Sequence, residues 1–116
     1  MKLAVCSLLL VLLMSLPHVA TGQSSGRISG VVKDQMSGSI AGAEIIAVEV
    51  ERGIERRTTT DQNGSYVLMN LPTGTYRLTI SSPGFRTFVQ MGLVLQISGE
   101  LVVNVALQTG PGGGSS

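Results

Sequence analysis

The sequence predicts an all-β protein, a seven-stranded sandwich behind a short apolar leader. Three observations predict it. From Gly26 to Thr109 no stretch keeps a helical apolar period for three turns, short apolar runs alternate with polar residues, and Gly, Pro, Asn and Asp punctuate the joints. Seven such runs in about 84 residues have the number and spacing of a two-sheet sandwich.

The leader comes first. Lys2 supplies a positive start, Leu3 to Leu16 an apolar stretch, Pro17 a helix break, and Ala20 and Gly22 the small residues of a cleavage site. That order is a secretory signal over residues 1–22, cut between Gly22 and Gln23. A retained anchor needs about 18 to 20 apolar residues, and this stretch is shorter and interrupted by Cys6 and Ser7. Cys6 precedes most of the apolar run, so it is not placed for lipidation.

The predicted strands follow in order: Arg27 to Asp34, Ala43 to Val50, Ile54 to Thr60, Ser65 to Leu71, Thr75 to Ser81, Arg86 to Met91 with a continuation at Leu93 to Ile97 left open, and Leu101 to Leu107. Leu101, Val103, Val105 and Leu107 alternate with Val102, Asn104, Ala106 and Gln108, so the first set faces the core. Tyr76, Leu78 and Ile80 alternate with Arg77, Thr79 and Ser81 in the same way. The second strand does not resolve: Ala43, Ile45 and Ala47 compete with Ile46, Val48 and Val50, as in a bulged strand or one covered on both faces.

Turn chemistry makes the joints. Asp61-Gln62-Asn63-Gly64 reads as a hairpin turn between the third and fourth strands, because Asn63 and Gly64 both tolerate positive φ, with Gly64 expected to adopt it. Leu71-Pro72-Thr73-Gly74 reads as a type I turn, and Ser82-Pro83-Gly84-Phe85 as a type II turn with Gly84 at positive φ. These residues, Asp61, Asn63, Gly64, Pro72, Gly74, Pro83 and Gly84, are structural assignments, not chemical ones. After the sandwich domain of residues 23–109, residues 110–116 read as a flexible Gly/Ser linker or tail.

Composition narrows the chemistry. Removal of residues 1–22 takes away Lys2, Cys6 and His18 and leaves seven basic and seven acidic residues, with no His, Cys or Trp. Thiolate nucleophiles, His-based triads and Cys/His zinc sites are thereby excluded from the mature chain. Balanced charge gives no electrostatic reason for nucleic-acid binding. No cofactor, catalytic residue or metal ligand is expected. Asp61 to Ser65 has the oxygen spacing of half a calcium loop, but no Glu follows to close it, so it reads as a turn. Arg52, Arg56 and Arg57 lie among Glu44, Glu49, Glu51 and Glu55 and read as a solvated hairpin face with weak ion pairs. Tyr66, Tyr76 and Phe85 read as core, with Phe88 unassigned, so no aromatic stripe is left for stacking on sugars.

The segments Gly30-Val31-Val32-Lys33-Asp34, Gly42-Ala43-Glu44-Ile45, Thr60-Asp61-Gln62-Asn63-Gly64-Ser65-Tyr66, Leu71-Pro72-Thr73-Gly74-Thr75-Tyr76-Arg77-Leu78 and Pro83-Gly84-Phe85 occur in that order. Together they resemble the carboxypeptidase regulatory-like domain. The resemblance implies a transthyretin-like (prealbumin-like) sandwich without catalytic activity, as found at the N terminus of Oar-like TonB-dependent outer-membrane receptors. Related adhesin domains join a first-strand Lys to a last-strand Asn by an isopeptide bond beside a buried acid. Here Lys33 and Asn104 hold those places, but the stretch Tyr76 to Ser82 has no acid, so Lys33 is expected exposed and unbonded.

The expected function is an exported non-catalytic accessory or interaction module of the cell envelope, located in the periplasm, at the outer membrane or outside the cell. Its partner is an envelope protein or surface polymer, met by edge-strand pairing, with no nucleic acid and no stable membrane span in the mature chain. The alternative is a small secreted carbohydrate- or ligand-binding domain. An enzyme using carboxylates alone is the weakest reading, since no acid pair is placed at a pocket by local pattern.

Overall fold

The computed structural model describes residues 25–111. The leader, its cleavage point and residues 112–116 of the tail lie outside the described residues. Eight strands follow in chain order: β1 (Ser25–Asp34), β2 (Glu44–Glu49), β3 (Ile54–Thr59), β4 (Ser65–Pro72), β5 (Gly74–Ser81), β6 (Phe88–Leu95), β7 (Glu100–Val102) and β8 (Val105–Leu107).

They form two sheets. In the first, β1 lies between antiparallel β4 and parallel β7 and β8, which follow each other along one edge of β1. In the second the order is β3-β2-β5-β6, antiparallel throughout. The alternating apolar positions explain the pairing. Ile28 and Val32 of β1, Ile45 and Ala47 of β2, Leu68 of β4, Leu78 and Ile80 of β5, and Val105 and Leu107 of β8 all point between the sheets and are buried. Each buried Leu, Ile or Val contributes about 1.5–3 kcal/mol relative to exposure. Among the described residues there is no cysteine, and this packing, with the backbone ladders, holds the sandwich together.

Eight strands replace the seven expected because Leu101 to Leu107 is broken at Val103 and Asn104. The register with β1 is unchanged across the break: Ser29 faces Val102 before it and Val32 faces Val105 after it. What changes is the peptide between them. The Val103 carbonyl accepts the Tyr66 hydroxyl at 2.7 Å, and Val31 N–H donates instead to Asn104 Oδ1 at 2.9 Å. A side chain stands in for the strand carbonyl. Gly30 is required opposite, since a Cβ there would lie 1.9 Å from Val103 O.

The open question on β2 resolves as a central strand. Ala43, Ile45 and Ala47 are buried inward, while Ile46 and Val48 are half-buried on the outer face between β3 and β5. The run after the Pro83 turn is one strand, β6, carried past a bulge at Met91 and Gly92 opposite Arg77, with Gly92 at φ 73°.

Candidate functional site

The Asp61 turn is not a hairpin. β3 and β4 belong to different sheets, so residues 60–64 carry the chain across the sandwich. Asp61 organises the crossing: its Oδ1 accepts Asn63 N–H and Ser65 N–H, each at 2.9 Å, and its carbonyl accepts Gly64 N–H at 3.0 Å. Only Gly64 of the Asn-Gly pair takes positive φ, 75°. Gly64 takes the positive φ expected of it, and the carboxylate closes the turn around Asn63, so only the last residue must turn left-handed. Gly64 O then accepts Val32 N–H at 2.8 Å, which staples the crossing onto β1.

The joint at Pro72 is also a crossing between sheets. Pro72 ends β4, its carbonyl accepts the Tyr76 hydroxyl at 2.6 Å, and Gly74 starts β5 at φ 152°. A Cβ on Gly74 would lie 2.8 Å from Glu49 Cγ.

Glu49 departs most from the sequence reading. It is 1% exposed on the inner face of β2, not part of a solvated face. Period-2 alternation puts it on the side of Ala43, Ile45 and Ala47, a signal present in the sequence but masked by the competing apolar set. Its carboxylate accepts Arg52 Nε–H at 2.8 Å, Arg52 N–H at 2.9 Å and Glu51 N–H at 3.0 Å, and Arg52 donates onward to Thr73 O at 2.6 Å. The Arg52 guanidinium and these backbone donors hold Glu49 below its ordinary carboxylate value. The cluster ties the β2–β3 hairpin to the β4–β5 crossing, a structural use of an acid. The exposed pairs of Arg57 with Glu55 (2.7 Å) and Glu44 (3.4 Å) do form a solvated face.

At the third joint, Gly84 sits at φ 83° and Phe85 N–H donates to Ser82 O at 3.1 Å, as a type II turn requires. This turn also receives the end of the chain, because Gly110 N–H donates to Gly84 O at 3.1 Å. Gly110, expected in the linker, is thus held by the sandwich. Tyr66 and Tyr76 are buried, and Phe85 and Phe88 are half-buried against the core. Burial pushes the Tyr66 hydroxyl up to about 12.

Among the described residues no three His, Cys, Asp or Glu side chains gather as a metal site. Lys33 is exposed opposite Ala106, in an open groove of about 430 Å³ that Asn104 also lines.

The edges of the second sheet differ sharply. β3 presents Glu55, Arg56 and Arg57, the charges by which an edge strand discourages pairing. β6 is Phe-Val-Gln-Met-Gly-Leu-Val-Leu, with no charge and no proline, and among the described strands it pairs only with β5. Val89, Met91 and Val94 are 44%, 65% and 56% exposed. The Gly92 bulge divides this edge into two straight runs, 88–90 and 93–95.

No curated protein matches the sequence. Among solved structures, catechol 1,2 dioxygenase of Acinetobacter radioresistens is similar with a TM-score of 0.63 and 13% identity, over 80% of this chain and 56% of that one. The Bacillus anthracis TIE protein is similar at 0.57 and 19% identity, over 73% of this chain and 17% of that one. A streptococcal ancillary pilin is similar at 0.55 and 21% identity, over 77% and 34%. This chain therefore spans little more than half of the dioxygenase and less of the other two, and at such identities the likeness concerns the fold alone. The family model of the carboxypeptidase regulatory-like domain matches residues 27–108, from the first residues of β1 to the residue after β8. The chain belongs to the carboxypeptidase regulatory-like domain family.

Proposed function

We propose that this transthyretin-like sandwich is an exported, non-catalytic interaction module of the cell envelope, which binds a partner protein by adding an extended segment of that partner to β6. One observation carries the reading: of the two edges of the second sheet, β3 is charged and β6 is uncharged, apolar and exposed. Such an edge offers main-chain hydrogen bonds for affinity and flanking side chains for selection. The leader supports export, and the motif order supports a place as the N-terminal extension of a TonB-dependent receptor-like protein. The use of Asp61 and Glu49 as a turn anchor and an ion-pair partner supports a non-catalytic role.

Site-specific photo-crosslinking in cells that export the chain tests this. A crosslinker at Val94 on β6 is expected to give a discrete adduct that Val89→Lys weakens, while one at Arg56 on β3 gives none. Adducts from β3 alone, or from neither edge, would count against the proposal.

A further inference from the structure

We propose that Asn63 is a latent deamidation site, held unreactive by the native turn and open to modification only when the turn opens. Of the three asparagines, Asn70 and Asn104 precede Leu71 and Val105, whereas Asn63 precedes Gly64, which has no side chain to hinder its own nitrogen. In the reaction the Gly64 nitrogen loses its proton and bonds to Asn63 Cγ. The side-chain nitrogen takes a proton and leaves as ammonia, and water then opens the cyclic imide to aspartate or isoaspartate. No oxidant or cofactor is consumed.

The folded turn restrains the backbone that carries the attacking nitrogen. Gly64 N–H, whose nitrogen is the nucleophile, is engaged by Asp61 O at 3.0 Å, and Asn63 N–H is engaged by Asp61 Oδ1 at 2.9 Å. The carbonyl of Gly64 is anchored by Val32 N–H at 2.8 Å, and Val32 O sits 2.5 Å from where a Gly64 Cβ would be. Bringing Gly64 N onto Asn63 Cγ requires rotation about ψ and χ1 of Asn63, and the ψ rotation turns the Asn63–Gly64 peptide against the Gly64 N–H bond to Asp61 O and the Gly64 carbonyl's bond to Val32 N–H. An isoaspartate product routes the main chain through the former side chain, and the lengthened crossing no longer sets Gly64 O on Val32 N–H. Damage acquired while the chain is unfolded is therefore carried into a turn that cannot close.

The test incubates the intact folded chain beside its tryptic peptide 58–77 at mildly alkaline pH and follows ammonia loss at Asn63 by mass spectrometry and isoaspartate assay. The peptide is expected to convert at least about tenfold faster, as for chemistry gated by local opening. Asn70, in the same peptide, serves as the slow internal reference. Asp61→Ala keeps the Asn-Gly pair and removes the carboxylate, and is expected to speed conversion in the intact chain. On the unsubstituted protein, Gly64 N–H is expected to exchange slowly with solvent. Equal conversion in folded chain and peptide, or a Gly64 amide exchanging at the unfolded rate, would overturn the proposal whether or not Asp61→Ala folds.

Discussion

The Tyr66 hydroxyl donates to the Val103 carbonyl at 2.7 Å, and that bond turns the Val103 peptide out of the β1 ladder and breaks the last strand in two. Asn104 repairs the ladder by offering Oδ1 to Val31 N–H, and Gly30 leaves room for the turned carbonyl. Residues from three separate stretches of the chain, Gly30-Val31, Tyr66 and Val103-Asn104, thus form one device that bolts β4 to the last strand across β1.

Tyr66→Phe leaves the Val103 carbonyl without its partner and is expected to cost about 1–3 kcal/mol. Chemical denaturation measures it. The hydroxyl also sets an alkaline limit. In the unfolded chain it ionises near its ordinary 10.0, in the folded chain only at about 12, so above pH 10 the unfolded state binds fewer protons. Stability should fall as pH rises from about 10 to about 12, and Tyr66→Phe should flatten that fall.

At the acid end the sign reverses. Glu49 is held below its ordinary value, so its contribution is present above that value and is lost as pH falls through the folded one. Glu49→Gln should reduce the loss of stability measured on acidification, read by denaturation at a series of pH values.

Glu49 also explains Gly74, because a Cβ there would meet Glu49 Cγ at 2.8 Å. Gly74→Ala should destabilise by about 1–3 kcal/mol through overpacking. Part of that cost should vanish in a Glu49→Ala background, and a double-mutant cycle in denaturant reads the coupling.

Gly64 and Gly53 have nearly the same φ, 75° and 70°, but only Gly64 has a neighbour where its Cβ would be, Val32 O at 2.5 Å. Both Gly→Ala changes incur the left-handed cost of about 1–2 kcal/mol. Gly64→Ala should lower the melting temperature clearly further than Gly53→Ala. Equal shifts would mean that the crossing does not press on β1.

What could be read from the sequence follows period and turn chemistry. Tyr76, Leu78 and Ile80 show their buried face because the alternating set Arg77, Thr79 and Ser81 is polar, and Val103, Val105 and Leu107 do so because their set is wholly large and aliphatic while the other mixes Val102 and Ala106 with Asn104 and Gln108. β2 hides its inner face because Ile46 and Val48 are apolar on the outer side, so the pattern does not mark Glu49 as buried. The expected hairpin between β3 and β4 does not form because Asn-Gly between two β runs signals a turn but not which sheet each run joins. The break at Val103 has no local signal: it depends on a tyrosine 37 residues upstream. The free edge at β6 was legible only as a run without charge, since its position at the sheet margin is a property of topology.

The most direct test of the interaction reading is amide hydrogen exchange, residue by residue, on the free chain and on the chain bound to the partner recovered through the Val94 crosslink. Main-chain pairing at β6 predicts new protection confined to amides of Phe88 to Leu95, with β3 amides from Ile54 to Thr59 unchanged. Protection on β3, or binding that leaves the β6 amides as exposed as in the free chain, would contradict it.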